Sequence, residues 1–446
     1  MLRRGLLTVA LVVISTAWPS LADACTCVGP NPPCQAVWST PDVFVGQVLG
    51  IDASPADKQP FLSRRVRIRA TEVFRGRSAG EVDVWTGQGG GDCGYDFKAG
   101  ESYLIYAYRD TDTGRMSTGI CSRTQPLSSA GADLEYLRSI AKSTARFGRI
   151  IGSAMRIDLP PAGQTEGQRR EPFAGARIIA EGGGRTYEAR TASDGTYEIA
   201  VPPGTYAVRV DVPDGFYALS APRVTVQDAR GCATNVIGVY PDGRIAGRLV
   251  GANREPVALF ALELIPVLSA GSEYFYPEES GKVRTDDRGL YEFSHLRAGT
   301  YYIGYGTQRT RGAEPAGPRV LLAGSDGALR TLQVTPGGRV NVEDLAMPSG
   351  AKLIRVVGKV TEPNGAPAAG ARVHVNAAGP EFTLIGPAVI TDGDGRFTAT
   401  LIADRSYRLI GEGYDDAGRF VSRAEGPVFT ATSDITGVTL TLRPNR

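Results

Sequence analysis

Histidine is almost missing from this chain: among 446 residues only His295 and His374 occur. The side chain that most often serves as a general base near neutral pH is therefore scarce, and no nucleophile, base and orienting group come together in the sequence. Long apolar runs are missing too. The stretch from Leu6 to Ile14 falls short of the ~20 residues a spanning helix needs, and no later stretch approaches that length, so no transmembrane segment is expected. Charge of one sign is lacking: 49 Lys and Arg against 47 Asp and Glu leave +2, with no general pull toward nucleic acid or an anionic membrane. Cysteine is limited to six residues, none before Cys25.

What is present is glycine and proline, 56 and 29 of them, beside 42% hydrophobic and 22% charged residues. That balance fits a globular protein of short strands and many tight turns, and the length fits three or four domains.

The start of the chain has the three parts of an export signal: Arg3 and Arg4, the apolar run, and the small-residue triplet Ala22-Asp23-Ala24 before Cys25. Residues 1–24 are read as a signal peptide, which would make Cys25 the first mature residue. An acyl anchor on Cys25 is the competing reading, but Ala22 stands where the lipid-attachment signal usually has Leu. An exported chain meets an oxidising compartment, where six cysteines are expected to pair.

Residues 25–144 are read as a first domain. Apolar runs at Val43 to Val48, Val66 to Phe74, Val82 to Trp85 and Tyr103 to Tyr106 read as strands, and Leu134, Leu137 and Ile140 share one helical face. A small closed barrel with a terminal helix accounts for this order. Cys25-Thr26-Cys27, Cys34, Val73-Phe74-Arg75-Gly76, Cys93-Gly94-Tyr95 and Ile120-Cys121 resemble the netrin-like OB-fold domain of the tissue inhibitors of metalloproteinases. The resemblance implies that Cys25 pairs with Cys93 and Cys27 with Cys121. It also implies a possible inhibitory edge, in which the Cys25 amine and carbonyl chelate a protease zinc while Thr26 enters the specificity pocket. Cys34 departs from the pattern, because its family partner is absent. Cys232 remains to pair with it, and two free thiols are the alternative. Arg65, Arg67 and Arg69 alternate with Val66 and Ile68, so they face one side of a strand, as a basic groove or as a plain solvated face.

One pattern then occurs three times. Gly148-Arg149, Pro172 to Ala176, Thr191-Ala192-Ser193-Asp194-Gly195, Tyr197 and Gly204-Thr205-Tyr206 form the first copy. Gly243-Arg244, Pro256, Thr285-Asp286-Asp287-Arg288-Gly289, Tyr291 and Gly299-Thr300-Tyr301 form the second. Gly358-Lys359, Pro367 to Ala371, Thr391-Asp392-Gly393-Asp394-Gly395, Phe397 and Tyr407 form the third. Asp and Gly supply a turn, and the strands that follow alternate, as in Tyr206, Val208, Val210 and Val212. The copies resemble carboxypeptidase regulatory-like domains, which are transthyretin-like or carbohydrate-binding-like β-sandwiches, over residues 145–240, 241–348 and 349–446. The resemblance stops short of a carboxypeptidase: neither histidine opens a His-x-x-Glu pair. His374 is expected to point to solvent and His295 to lie in the turn before Gly299.

Two further candidates are weighed. Asp392-Gly393-Asp394-Gly395 lacks the Glu and remaining ligands of a calcium loop, so turn geometry accounts for it. Tyr274-Phe275-Tyr276 cannot all face a core, and a carbohydrate-stacking platform or an interdomain contact would use the exposed ring. The fold expected is therefore mainly β, an OB-fold barrel with a terminal helix followed by three tandem β-sandwiches. The function expected is non-enzymatic binding or spacing at the bacterial cell envelope, periplasmic, extracellular or surface-associated. The partner is an unidentified protein or polysaccharide, with no nucleic acid, cofactor or metal. Metalloprotease inhibition and carbohydrate binding are the alternatives.

Overall fold

A computed structural model describes residues 27, 29–53, 63–89, 92–111, 114–162, 164, 167–219, 223–267, 281–306, 320–378, 383–415 and 417–444. The signal-peptide reading falls on residues outside this set.

The first unit is built on β1 (Asp42–Ala53), β2 (Arg64–Arg75), β3 (Glu81–Thr86), β4 (Ser102–Arg109) and β5 (Met116–Ser117). They pair in the order β1-β2-β3-β5-β4, and β4 returns to β1, which closes a five-stranded barrel. β3 and β5 run parallel while the other neighbours are antiparallel, the expected OB-fold closure. Inside lie Phe44, Val48, Val66, Ile68, Val84 and Ile105. A second cluster forms outside, where Val43, Val45, Leu104 and Tyr106 meet helix α1 (Pro33–Ser39) and helix α2 (Gly131–Ile140). β4 is thus buried on both faces, which is why its sequence reads as a continuous apolar run. Leu134, Leu137 and Ile140 are the buried face of α2, as expected. Asp133 of α2 is also buried, and it takes two hydrogen bonds from Arg123 and one from the Tyr106 hydroxyl.

Three sandwiches follow, each with its own apolar core. In each, the opening strand sits in the middle of one sheet and pairs in parallel with the strand that closes the unit. Gly148–Asp158 pairs with Cys232–Pro241, and Leu353–Thr361 with Ile435–Thr441. In the second unit Gly243–Val250 pairs with two short closing segments, Arg339–Asn341 and Leu345–Ala346.

Three local devices recur. A buried threonine links two chain segments: Thr191 donates to the Phe173 carbonyl at 2.6 Å and accepts from the Ala176 amide at 2.8 Å. Thr285 does the same with Val257 and Phe260, and Thr391 with Ala368 and Ala371. The turn after it ends on a glycine at positive φ, +78° at Gly195, +76° at Gly289 and +72° at Gly395, where a side chain would be strained. Finally, Tyr206, Tyr301 and Tyr407 donate their hydroxyls to the carbonyls of Pro202, Arg297 and Ile402 at 2.7, 2.8 and 2.9 Å, a tyrosine corner in each sandwich. Among the described residues no helix is long and apolar enough to cross a membrane.

Candidate functional site

The proposed inhibitory pair Cys25 and Thr26, and the aromatic triplet Tyr274, Phe275 and Tyr276, lie outside the described residues. Cys27 is bonded to Cys121 and Cys34 to Cys232, with Cα atoms 5.3 and 5.2 Å apart. Cys93 is also disulfide-bonded, and its expected partner Cys25 lies outside the described residues. The three arginines of β2 share a face but are not free. Arg65 reaches Asp52 at 2.8 Å and Asp83 at 3.9 Å, Arg67 reaches Asp52 at 3.5 Å, and Arg69 reaches Glu81 at 3.1 Å. The Arg65 hydrogen bond holds Asp52 below the usual carboxylate range. Acids on the neighbouring strands therefore pair with all three arginines of this face.

One histidine expectation needs correction and the other refinement. His374 lies on the outward face between the buried Val373 and Val375, as expected, but is half-buried there, with Nε2 3.1 Å from Glu412 Oε2, because strand Arg372–Ala377 pairs with Arg405–Tyr414 and brings Glu412 onto the same face. His295 is exposed but lies in strand Leu290–Leu296, not in the following turn. Its ring packs 4.1 Å from that of Tyr217 in the preceding sandwich. The Asp392 carboxylate accepts from the amides of Asp394 and Arg396, so the turn itself uses it.

The most elaborate side-chain chemistry lies at the joints between units. Proline at the first helical position starts α1, whose Cys34, Ala36 and Val37 are buried. Gln35 and Trp38 turn toward the first sandwich. Gln35 Oε1 accepts from both the amide and the hydroxyl of Thr234, at 3.0 and 2.7 Å. The Trp38 ring meets the guanidinium groups of Arg230, 4.8 Å from its centre, and Arg75, 5.4 Å. Tyr136 of α2 donates to the Arg230 carbonyl at 2.7 Å, and burial pushes its phenol up. Beside these contacts the Cys34–Cys232 bond joins the two units covalently.

At the next joint a single residue, Asp242, separates strands Cys232–Pro241 and Gly243–Val250. Its carboxylate is buried and accepts from the His295 amide at 2.7 Å and from Arg244 Nε at 2.8 Å. Tyr217 stacks on Tyr240 there and meets the His295 ring in a tilted contact. At the third joint Arg284 donates to the carbonyls of Pro387, Ile385 and Leu259 at 3.0, 3.2 and 3.4 Å. Burial lowers its pKa to about 10, so it stays charged at neutral pH. The Thr400 hydroxyl donates to the Ala258 carbonyl at 2.7 Å across the same boundary. Apart from the Cys34–Cys232 bond, sequence reasoning missed these contacts between units, because nothing local marks a residue whose partner lies on another unit far along the chain.

Two open grooves of about 710 and 680 Å³ occupy corresponding places in the first and second sandwiches, over Gly152 and Gly247. They are lined by Tyr197 and Glu198 in one and by Tyr291 and Glu292 in the other. The second also holds Arg248 paired with Asp344 at 2.6 Å. Among the described residues no group of three or more His, Cys, Asp or Glu is placed to hold a metal ion.

Residues 162–236, within the first sandwich, match the carboxypeptidase regulatory-like domain family. No curated protein matches the chain. Among solved structures, the Bacillus anthracis TIE protein aligns over 90% of this chain and 69% of its own, with 12% identity and a TM-score of 0.20. A streptococcal ancillary pilin aligns over 67% and 100%, with 14% identity and a TM-score of 0.19. BcpA, the major pilin subunit of Bacillus cereus, aligns over 67% and 100%, with 9% identity and a TM-score of 0.20.

Proposed function

We propose that this is an exported, non-enzymatic spacer of the bacterial cell envelope that presents its N-terminal barrel at the end of a semi-rigid rod. The supporting observation is the construction of the joints. Each is closed by specific hydrogen bonds between units, and the first also by a disulfide, where a flexible chain of beads would need only a polar linker. The division at residues 25–144, 145–240, 241–348 and 349–446 belongs to this proposal. So does the regulatory-like reading of the second and third sandwiches. Small-angle scattering of the mature protein tests it: a single elongated rigid shape is expected, and a profile that only an ensemble of reorienting units fits would overturn it. Capture from envelope extract with the mature protein then identifies what the barrel end holds.

Metalloprotease inhibition is the second reading. The Cys27–Cys121 bond, the bonded state of Cys93 and the closed five-stranded barrel support it, since they agree with the netrin-like resemblance. Chelation through the Cys25 amine needs its lone pair. One residue added before Cys25 should therefore abolish any inhibition of a zinc protease while circular dichroism stays unchanged. Equal inhibition by both forms would exclude the mechanism.

A further inference from the structure

We infer that the molecule is built to carry tension along its length, with the second and third sandwiches taking the load and the barrel and first sandwich shielded from it. This deepens the spacer reading by naming what the spacer withstands. The inference starts from strand direction. In the third sandwich the chain enters along Leu353–Thr361 and leaves along Ile435–Thr441, and the two strands are parallel neighbours. The second sandwich repeats this with Gly243–Val250 against Arg339–Asn341 and Leu345–Ala346. Pulling the two ends of such a unit apart slides the opening strand along the closing one. The hydrogen bonds between them then resist together, whereas a pair pulled open from one end loses them one after another. Load also passes directly between units, because only Asp242 separates the closing strand of the first sandwich from the opening strand of the second.

The disulfides set where that load enters. A force applied before Cys34 crosses to Cys232 through their bond, so the intervening chain, with a sequence separation of 198, is bypassed. At ~3.5 Å per extended residue this withholds roughly 700 Å of chain. Cys27–Cys121 forms a second bypass around most of the barrel, with a separation of 94, and it interlocks with the first, since Cys34 lies inside its loop and Cys232 outside it. The last strand of the first sandwich, starting at Cys232, is already extended and runs straight into the loaded part.

Single-molecule force measurements on the full mature chain test this, with handles at exposed residue 29 and at the C-terminus, attached through non-natural side chains so that no cysteine is added. The oxidised protein should unfold in two steps that together release at most the chain beyond Cys232, roughly 750 Å. Cys34→Ser/Cys232→Ser should add a third step of about 400 Å, the chain from Cys121 to Cys232, since Cys27–Cys121 still closes the barrel. Moving the handles to exposed Ser349 and Ser433, at the same end of the parallel pair, should peel the third sandwich open at a several-fold lower force. Should the double variant fail to fold, the oxidised protein and the moved handles still decide. Release beyond the Cys232 limit, or equal forces in the two pulling directions, would overturn the inference. Neither outcome bears on whether scattering finds a single rigid, elongated shape, so the spacer reading stands or falls separately.

Discussion

Tyr291 carries a buried hydroxyl without a hydrogen-bond partner, while Tyr197, whose hydroxyl lies beside the Asn235 side chain, and Phe397 occupy the corresponding places in the first and third sandwiches. Each ring lies against a glycine of the opening strand, Gly152, Gly247 or Gly358, where a Cβ would meet the ring atoms at 2.4 to 2.9 Å. A buried hydroxyl that finds no partner is a cost, so Tyr291→Phe should leave stability unchanged or raise it by about 1 kcal/mol. Urea unfolding measures this, and a clear loss would show that the hydroxyl does bond. The threonine staples predict the opposite sign. Thr285→Ala strands the Val257 carbonyl and the Phe260 amide in the core and should cost about 1 to 3 kcal/mol.

At the scale of elements, the first joint depends on how closely the Asp228–Gly231 turn approaches α1. A Cβ on Gly231 would lie 2.6 Å from the Trp38 ring, so Gly231→Ala must push the helix away. A loss of about 1 to 3 kcal/mol is expected at the joint. Hydrogen exchange should report it as faster exchange at the Thr234 amide, with the core of each unit still protected. Unchanged exchange there would mean that the joint does not rely on this packing. What was legible in the sequence, and what was not, follows from the reach of each signal. Strand β4, helix α2 and the turns at Gly195, Gly289 and Gly395 announce themselves through neighbours within a few residues. The repeated threonine was visible as part of a pattern, but its pairing with segments upstream was not. Gln35 meets Thr234 at a separation of 199, and no periodicity records that contact. The outward position of His374 was legible from Val373 and Val375, but its partner was not, since Glu412 stands on another strand.

For the whole molecule, burial of tyrosine couples all parts of the chain to alkaline pH. Burial pushes Tyr95 of the barrel, Tyr197 of the first sandwich and Tyr407 of the third up to about 12, and raises Tyr291 of the second as well. The unfolded chain ionises these phenols near pH ~10, so the stability they contribute is fully present below that value and is lost as pH rises toward 12. The melting temperature should fall steeply across that window, in step with phenolate absorbance. A flat profile would contradict the burial. The Cys34–Cys232 bond has a different consequence for the whole molecule. The segment from Ala141 to Phe147 is exposed throughout and offers Lys142 and Arg146 to a trypsin-like protease. A single cut there falls inside a covalent ring, so both fragments should migrate as one band until reductant is added. Nicking at the neck would leave the barrel attached, and its shedding would take both a protease and a reductant.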